Sequence, residues 1–211
     1  MSENITIFAA ILGGGYSERM GYPKALLRIK GTLWAEHMWD IANQIPIIKE
    51  RLLFMKGVHA SLPLKKDIFQ LSEPILEHGP LGGVHGALNY FLSDDSINKA
   101  LILVLPVDMP LLDPQTLRNL VYLASQSPDY VHHFQNHLLP SVIPLTSQAL
   151  HLANSQLSKD SARDWSLRKY YHNLGYQTWP CSHTSLLVNI NSNEDWQAMF
   201  CKHDDHACSK V

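Results

Sequence analysis

The run Ala100-Leu101-Ile102-Leu103-Val104-Leu105 contains no polar position. A strand points successive side chains to opposite faces, so a strand built from this run must be buried on both. Only a central strand in a sheet covered from both sides tolerates that, and such sheets are mostly parallel, with helices packed on each face. Ile5–Leu12 (ITIFAAIL) repeats the pattern near the start of the chain and ends in glycines. Short apolar runs alternate with amphipathic segments elsewhere. Helices are expected over Leu33–Asn43, Gly82–Leu92, Pro114–Ala124, Ser147–Gln156 and Ala162–Asn173, and strands near Arg51–Met55 and Ile68–Leu71. Asp113 ahead of Pro114 gives a good start signal, because proline suits the first helical position. The pattern is that of an α/β fold with a mostly parallel sheet.

The second half is less regular. Tyr130–Phe134 and Leu138–Ile143 are expected as a hairpin or as edge strands around Gln135-Asn136. The adjacent His132 and His133 are then ordinary surface or edge histidines on opposite faces. Ser185–Ile190 reads as a short strand, and Asn193 to about Lys202 as a final helix. No repeat or linker divides the 211 residues, so one domain over residues 1–202 and a flexible polar tail over 203–211 are expected. With 45% hydrophobic residues, the chain can bury a full core without disulfide or metal staples. Seventeen Lys and Arg stand against nineteen Asp and Glu, a formal charge of −2, which argues against a nucleic-acid partner.

Three cysteines, Cys181, Cys201 and Cys208, follow no framework spacing and read as reduced thiols. No basic segment precedes Ile5–Leu12, and no apolar run approaches the ~20 residues of a membrane span. A cytoplasmic chain with no membrane partner is expected. Cys201-x-His203 and His206-x-Cys208 crowd four metal-capable side chains together, too closely for the usual zinc spacing, and are read as tail.

Chemistry gathers at Leu12-Gly13-Gly14-Gly15-Tyr16-Ser17-Glu18-Arg19-Met20-Gly21-Tyr22-Pro23-Lys24. This loop follows the first strand, where doubly wound folds place their ligands. Glycines bring bare backbone N–H groups against an anion, Ser17 adds a hydroxyl, and Arg19 and Lys24 add positive charge for a polyphosphate. It is not a P-loop, since Pro23 precedes Lys24 and Ala25 follows it. Nor is it the dinucleotide fingerprint, since Glu18 stands where the third glycine belongs. A merely tight turn would account for the glycines but not for the two cations beside them. Asp108 lies just past the strongest strand and reads as a Mg²⁺ ligand or as a turn residue. Gly79-Pro80-Leu81-Gly82-Gly83 places bare backbone near a ligand or makes a simple turn into a helix. Asn189 and Asn191 flank Ile190 and would point the same way on a strand.

Leu12, Gly14, Gly15, Ser17, Arg19, Met20, Gly21 and Lys24 together resemble the signature of the MobA-like nucleotidyltransferases, the family related to molybdenum cofactor guanylyltransferase. The resemblance continues through Gly79–Gly83, Asp108-Met109-Pro110 and Asn189-Ile190-Asn191, in the family's order. It implies a single three-layer α/β/α Rossmann-like nucleotidyltransferase domain. It further implies that Leu12, Gly13, Gly14, Gly15, Ser17, Lys24, Glu73, Gly79, Pro80, Leu81 and Asp108 bind the nucleotide, with Lys24, Arg19 and Asp108 catalytic. Mg²⁺ would be held by Asp108 and Asn191, with Asn189 structural or supporting. Asn193 and Glu194–Asp195 are read as residues of a helical first turn.

The implied partners are an NTP, GTP first, and molybdopterin, with other cofactor-biosynthesis or molybdoenzyme-maturation proteins beyond them. His137–Pro140 and Ser166–Arg168 resemble weaker family segments on the acceptor side. Arg163, Arg168 and Lys169 are read as a solvated helix face rather than as phosphate ligands. Two departures keep the base open: Phe54-Met55-Lys56 stands where guanylyltransferases often carry asparagine, and Ser72-Glu73 where they carry aspartate. Glu73 either replaces that aspartate or does not. Tyr22–Leu27 also resembles the cytidylyltransferase branch, so cytidylyl transfer and a non-catalytic nucleotide-binding protein are the alternatives.

Overall fold

The structure, a computed structural model, describes residues 5–13, 16–17, 22–29, 31–55, 70–72, 78–94, 99–159, 161, 163–192 and 194–195. Its strands and helices run in the order β1 (Thr6–Leu12), β2 (Tyr16–Ser17), β3 (Tyr22–Pro23), β4 (Arg28–Ile29), β5 (Thr32–Leu33), α1 (Trp34–Asn43), β6 (Ile48–Met55), β7 (Gln70–Ser72) and α2 (Gly79–Phe91). They continue with β8 (Ala100–Pro106), α3 (Pro114–Gln126), β9 (Val131–Phe134), β10 (Ser141–Pro144), α4 (Ser147–Leu157), α5 (Leu167–Leu174) and β11 (Tyr176–Trp179). Seven strands form one sheet in the order β11-β9-β10-β8-β1-β6-β7. Pairing is parallel from β7 through β8, antiparallel on both sides of β10, and parallel again between β9 and β11. β10 alone in this sheet runs against the rest.

The apolar runs behave as their composition requires. All seven residues of β8 are buried. Odd-numbered side chains of the central strands (Ile7, Ala9, Ile11, Leu53, Leu101, Leu103, Leu105) pack with α1 and α3. Even-numbered ones (Phe8, Ala10, Leu52, Phe54, Ile102, Val104) pack with α2, α4 and α5. Each such Leu, Ile or Phe contributes on the order of 1.5–3 kcal/mol by leaving water. This is the expected three-layer α/β/α arrangement. Asp113 caps α3 as its sequence suggests, its Oδ1 accepting the N–H groups of Gln115 at 2.7 Å and Thr116 at 2.9 Å.

Several expectations are corrected. The strand expected over Ser185–Ile190 is a 3₁₀ turn at Thr184–Leu187 followed by an extended Val188 and chain that pairs in no sheet. Leu187 and Ile190 are buried while Val188 and Asn189 are exposed, a spacing of three that suits a turn and not a strand. The helix expected from residue 162 starts at Leu167, because the Trp165 indole N–H reaches back to the Lys159 carbonyl and holds residues 163–165 in a turn. The edge strand β11 was not expected. The final helix is described only at Glu194–Asp195, and the tail lies outside the described residues.

His132 and His133 are not surface histidines. β11 pairs along β9 and takes it off the edge, leaving His132 0% and His133 6% exposed. Trp179 donates its indole N–H to His132 Nδ1 at 3.0 Å. The ring proton therefore sits on Nε2, which faces the Ser127 carbonyl at 2.8 Å. Burial holds this imidazole below the ordinary histidine value, and the Ser127 hydrogen bond offsets only part of that.

The unfolded chain thus takes up a proton near pH 6.5 that the folded chain refuses until lower pH, so this group's contribution is full above pH 6.5 and is lost as pH falls. His132→Gln should remove up to about 1.4 kcal/mol per pH unit from the slope of stability against pH below 6.5. Urea unfolding of both proteins between pH 7.5 and 5 measures it.

Candidate active site

β1 and β8 end side by side, with Leu12 opposite Pro106 and the Val107 N–H donating to the Leu12 carbonyl at 3.1 Å. On the other flank, Gly13 donates its N–H to the Phe54 carbonyl at 2.8 Å. A Cβ on Gly13 would meet that same oxygen at 3.2 Å and Met55 Cγ at 3.2 Å. The glycine is therefore required by close approach of β6 where the loop leaves the sheet.

Two residues past β8, Asp108 emerges with its side chain 21% exposed. Its carbonyl accepts the Ile190 N–H at 2.9 Å, and burial of Ile190 anchors the segment that presents the next residue, Asn191. Lys24 opens a 3₁₀ turn, Lys24–Leu26, held by the fully buried Ala25. Its ammonium donates to Asp108 Oδ2 at 2.8 Å and to Asn191 Oδ1 at 2.6 Å. These partners lie 84 and 167 positions along the chain, so the fold gathers three distant segments on one cation.

A carboxylate oxygen and an amide oxygen converging on a cation are the hard donors that Mg²⁺ takes, with waters and phosphates completing six-coordination. The donor chemistry fits that ion.

Not every expected residue presents its side chain here. Leu12 of β1 and Leu81 of α2 are buried in the same core cluster and offer a ligand only backbone. Gly79 and Pro80 are exposed at the start of α2, where Gly79 takes φ +61°. Ser17 is described only as backbone paired with Tyr22 in the β2–β3 ribbon. Gly14, Gly15, Arg19 and Glu73 lie outside the described residues. Asn189 is exposed, and its stretch is not a strand, so it does not share a face with Asn191 through strand alternation.

Two features were not expected. The Asp195 carboxylate accepts the N–H groups of Asn191 at 3.1 Å and Ser192 at 3.0 Å, while Ser192 Oγ accepts the Asp195 N–H at 3.1 Å. Ser192-x-x-Asp195 is a capping-box spacing, a signal visible in the sequence. The second is a cavity of about 350 Å³ between the β9–β10 loop, α5 and β11, lined by His133, His137, Leu138, Arg168, Tyr171 and Tyr176 among others. It joins the two segments resembling the acceptor side; Arg168 lines it while remaining exposed, Lys169 pairs with Asp164 and Arg163 is exposed.

Within this cavity wall, His133 Nδ1 faces the carbonyls of Phe134 at 2.9 Å and His137 at 2.8 Å, so Nδ1 carries the proton. The Tyr171 hydroxyl bonds Ser141 Oγ at 2.7 Å, and burial pushes the phenol's pKa up.

A chain that gathers a lysine, an acid and an asparagine beyond a mostly parallel sheet has the organisation of an α/β nucleotide-handling protein. Residues 9–174 match the MobA-like NTP transferase domain, and the chain belongs to that family. It is 28% identical over 197 residues to a molybdenum cofactor guanylyltransferase of Xanthomonas euvesicatoria pv. vesicatoria, covering 92% of this chain and 95% of that protein. A probable molybdenum cofactor guanylyltransferase of Carboxydothermus hydrogenoformans is 32% identical over 131 residues, covering 61% of this chain and 57% of that one. Among solved structures, molybdopterin-guanine dinucleotide biosynthesis protein A of Archaeoglobus fulgidus superposes with a TM-score of 0.70 at 16% identity, covering 91% of this chain and 96% of that chain. Among the described residues no helix is long and apolar enough to cross a membrane.

Replacing Gly13 by valine should cost about 1–3 kcal/mol, the usual cost of overpacking, because the Phe54 carbonyl cannot retreat without breaking its bond. Urea denaturation of the two proteins reads this directly.

Proposed function

We propose that the protein is a nucleotidyltransferase that moves a guanylyl group from GTP to the phosphate of molybdopterin, releasing pyrophosphate. The observation that carries the reading is the Lys24 ammonium held between Asp108 and Asn191. The names of the related proteins, molybdenum cofactor guanylyltransferases, support guanine and the pterin acceptor.

An anionic oxygen of the acceptor phosphate attacks the α-phosphorus and forms a P–O bond. The bond from that phosphorus to the α,β-bridging oxygen breaks, and its electron pair leaves with pyrophosphate. No general base is needed, since the nucleophile is already an anion, and catalysis is positioning and charge stabilisation. Lys24 and Arg19, with the amides of the glycine loop, stabilise the departing pyrophosphate. Asp108 and Asn191 would hold Mg²⁺, which when bound neutralises charge on the phosphate oxygens. The start of α2 meets the nucleotide through the exposed backbone of Gly79 and Pro80, with Glu73 as a further contact. Arg168, at the cavity beside β9, meets the acceptor's negative charge, and the neighbouring Tyr171 and Tyr176 offer an aromatic wall.

Pyrophosphate release should be measured with each of the four NTPs in Mg²⁺, with and without molybdopterin. Release with GTP and molybdopterin together is expected. Release with CTP alone overturns the guanylyl assignment, and release with none overturns transfer in favour of nucleotide binding only. Asp108→Ala should lower turnover about 100-fold or more while the far-UV circular dichroism is unchanged. Arg168→Ala should raise the acceptor KM about tenfold, the worth of one charged hydrogen bond, and leave the GTP KM unchanged.

A further inference from the structure

The segment bearing Asn191 has little regular structure to hold it. Val188 is extended, residues 188–190 pair in no ladder, and Asn191 is exposed. Its backbone is nonetheless fixed from two sides. Ahead of it, the Ile190 N–H is held by the Asp108 carbonyl at 2.9 Å, tying the segment to the end of β8. At Asn191 itself, the backbone N–H is held by Asp195 Oδ2 at 3.1 Å, and the same oxygen takes the Ser192 N–H at 3.0 Å.

With the backbone fixed, only the two side-chain torsions decide where Asn191 Oδ1 lies, and the oxygen meets the Lys24 ammonium beside Asp108. We propose that Asp195 is a positioning residue that fixes the Asn191 backbone so that its amide oxygen and the Asp108 carboxylate converge on one cation. The inference rests on the reading of Asn191 as a metal ligand.

The Asp195 carboxylate also carries charge to the place. Loss of Asp195 removes an anchor for a ligand and a negative charge from the neighbourhood of a cation site, and both losses weaken cation binding.

A plain helix-opening role predicts something different, and Ser192 separates the two. Ser192→Ala removes the hydroxyl that accepts the Asp195 N–H and so breaks half of the reciprocal pair. It leaves the two backbone N–H bonds to the Asp195 carboxylate, from Asn191 and Ser192, in place.

The experiment compares wild type, Asp195→Ala, Asp195→Asn and Ser192→Ala. Each is titrated with Mn²⁺, followed by electron paramagnetic resonance, in the presence of a GTP analogue with a methylene group between the α- and β-phosphorus atoms. Pyrophosphate release is followed in parallel against Mg²⁺ concentration, and melting temperature is recorded for each. Asp195→Ala should weaken Mn²⁺ binding about 10-fold or more, the usual loss when support for a metal ligand is removed. The Mg²⁺ concentration for half-maximal rate should rise by a similar factor. Asp195→Asn, which keeps an acceptor oxygen without the charge, should fall between. Ser192→Ala should stay within about twofold of wild type in both.

Equal metal affinities for Asp195→Ala and Ser192→Ala, or a lowered melting temperature with unchanged Mn²⁺ binding, would overturn the proposal and leave Asp195 as a helix cap. Wild type that releases pyrophosphate but holds Mn²⁺ equally well in an Asn191→Ala variant would overturn the positioning role while sparing nucleotidyl transfer. Wild type that releases no pyrophosphate overturns both.

Discussion

A parallel strand without a polar face must be covered twice, and that requirement organises the molecule. β8 is apolar throughout and β1 from Ile7 onward, so helices have to pass over both faces, and each crossover returns the chain to the same end of the sheet. The carboxyl ends of β1, β6 and β8 are thereby brought level with one another. Gly13 then leaves one strand within hydrogen-bonding distance of its neighbour, and Asp108 leaves another two residues after it ends. The site is a by-product of covering the sheet.

Charge is used locally in the same arrangement. The chain is nearly neutral, with a formal charge of −2. One ammonium, partly shielded from water, sits against one carboxylate and one amide oxygen. Partial burial makes each of these charges count for more than a solvated one would, because the surroundings screen it less.

The strongest parts of this were legible in the sequence for a physical reason. Continuous apolar runs admit one kind of strand, Asp113-Pro114 admits few readings other than a helix start, and Lys24 and Asp108 sit where glycine loops and strand ends put functional groups, whereas Asn191 was legible only through the resemblance. β11 was not legible, because Tyr-Gln-Thr-Trp alternates half-exposed side chains on an edge and carries little of the hydrophobic signal of a buried strand. The burial of His132 followed from that omission, since only a seventh strand covers β9. Ser185–Ile190 looked like a strand because its apolar residues are plausible on one, yet their burial follows a spacing of three. Asp195 was seen but undervalued: a capping box read from sequence does not reveal that the same oxygen also reaches the preceding asparagine.

The division of the core by odd and even positions has an evolutionary corollary. In β8, in β1 from Ile7 onward and in the Leu52–Met55 end of β6, the parity of a buried hydrophobic side chain assigns it to one helical layer, whereas Ile48, ahead of a shift in the β1–β6 register, packs with the odd-numbered set. Insertion or deletion of a single residue within any of these strands would exchange the two layers from that point onward, placing groups shaped for α1 and α3 against α2, α4 and α5. The length of the connections is therefore less constrained than the length of these stretches of strand. The glycine loop that follows β1 inherits a fixed starting point, however much its own sequence drifts.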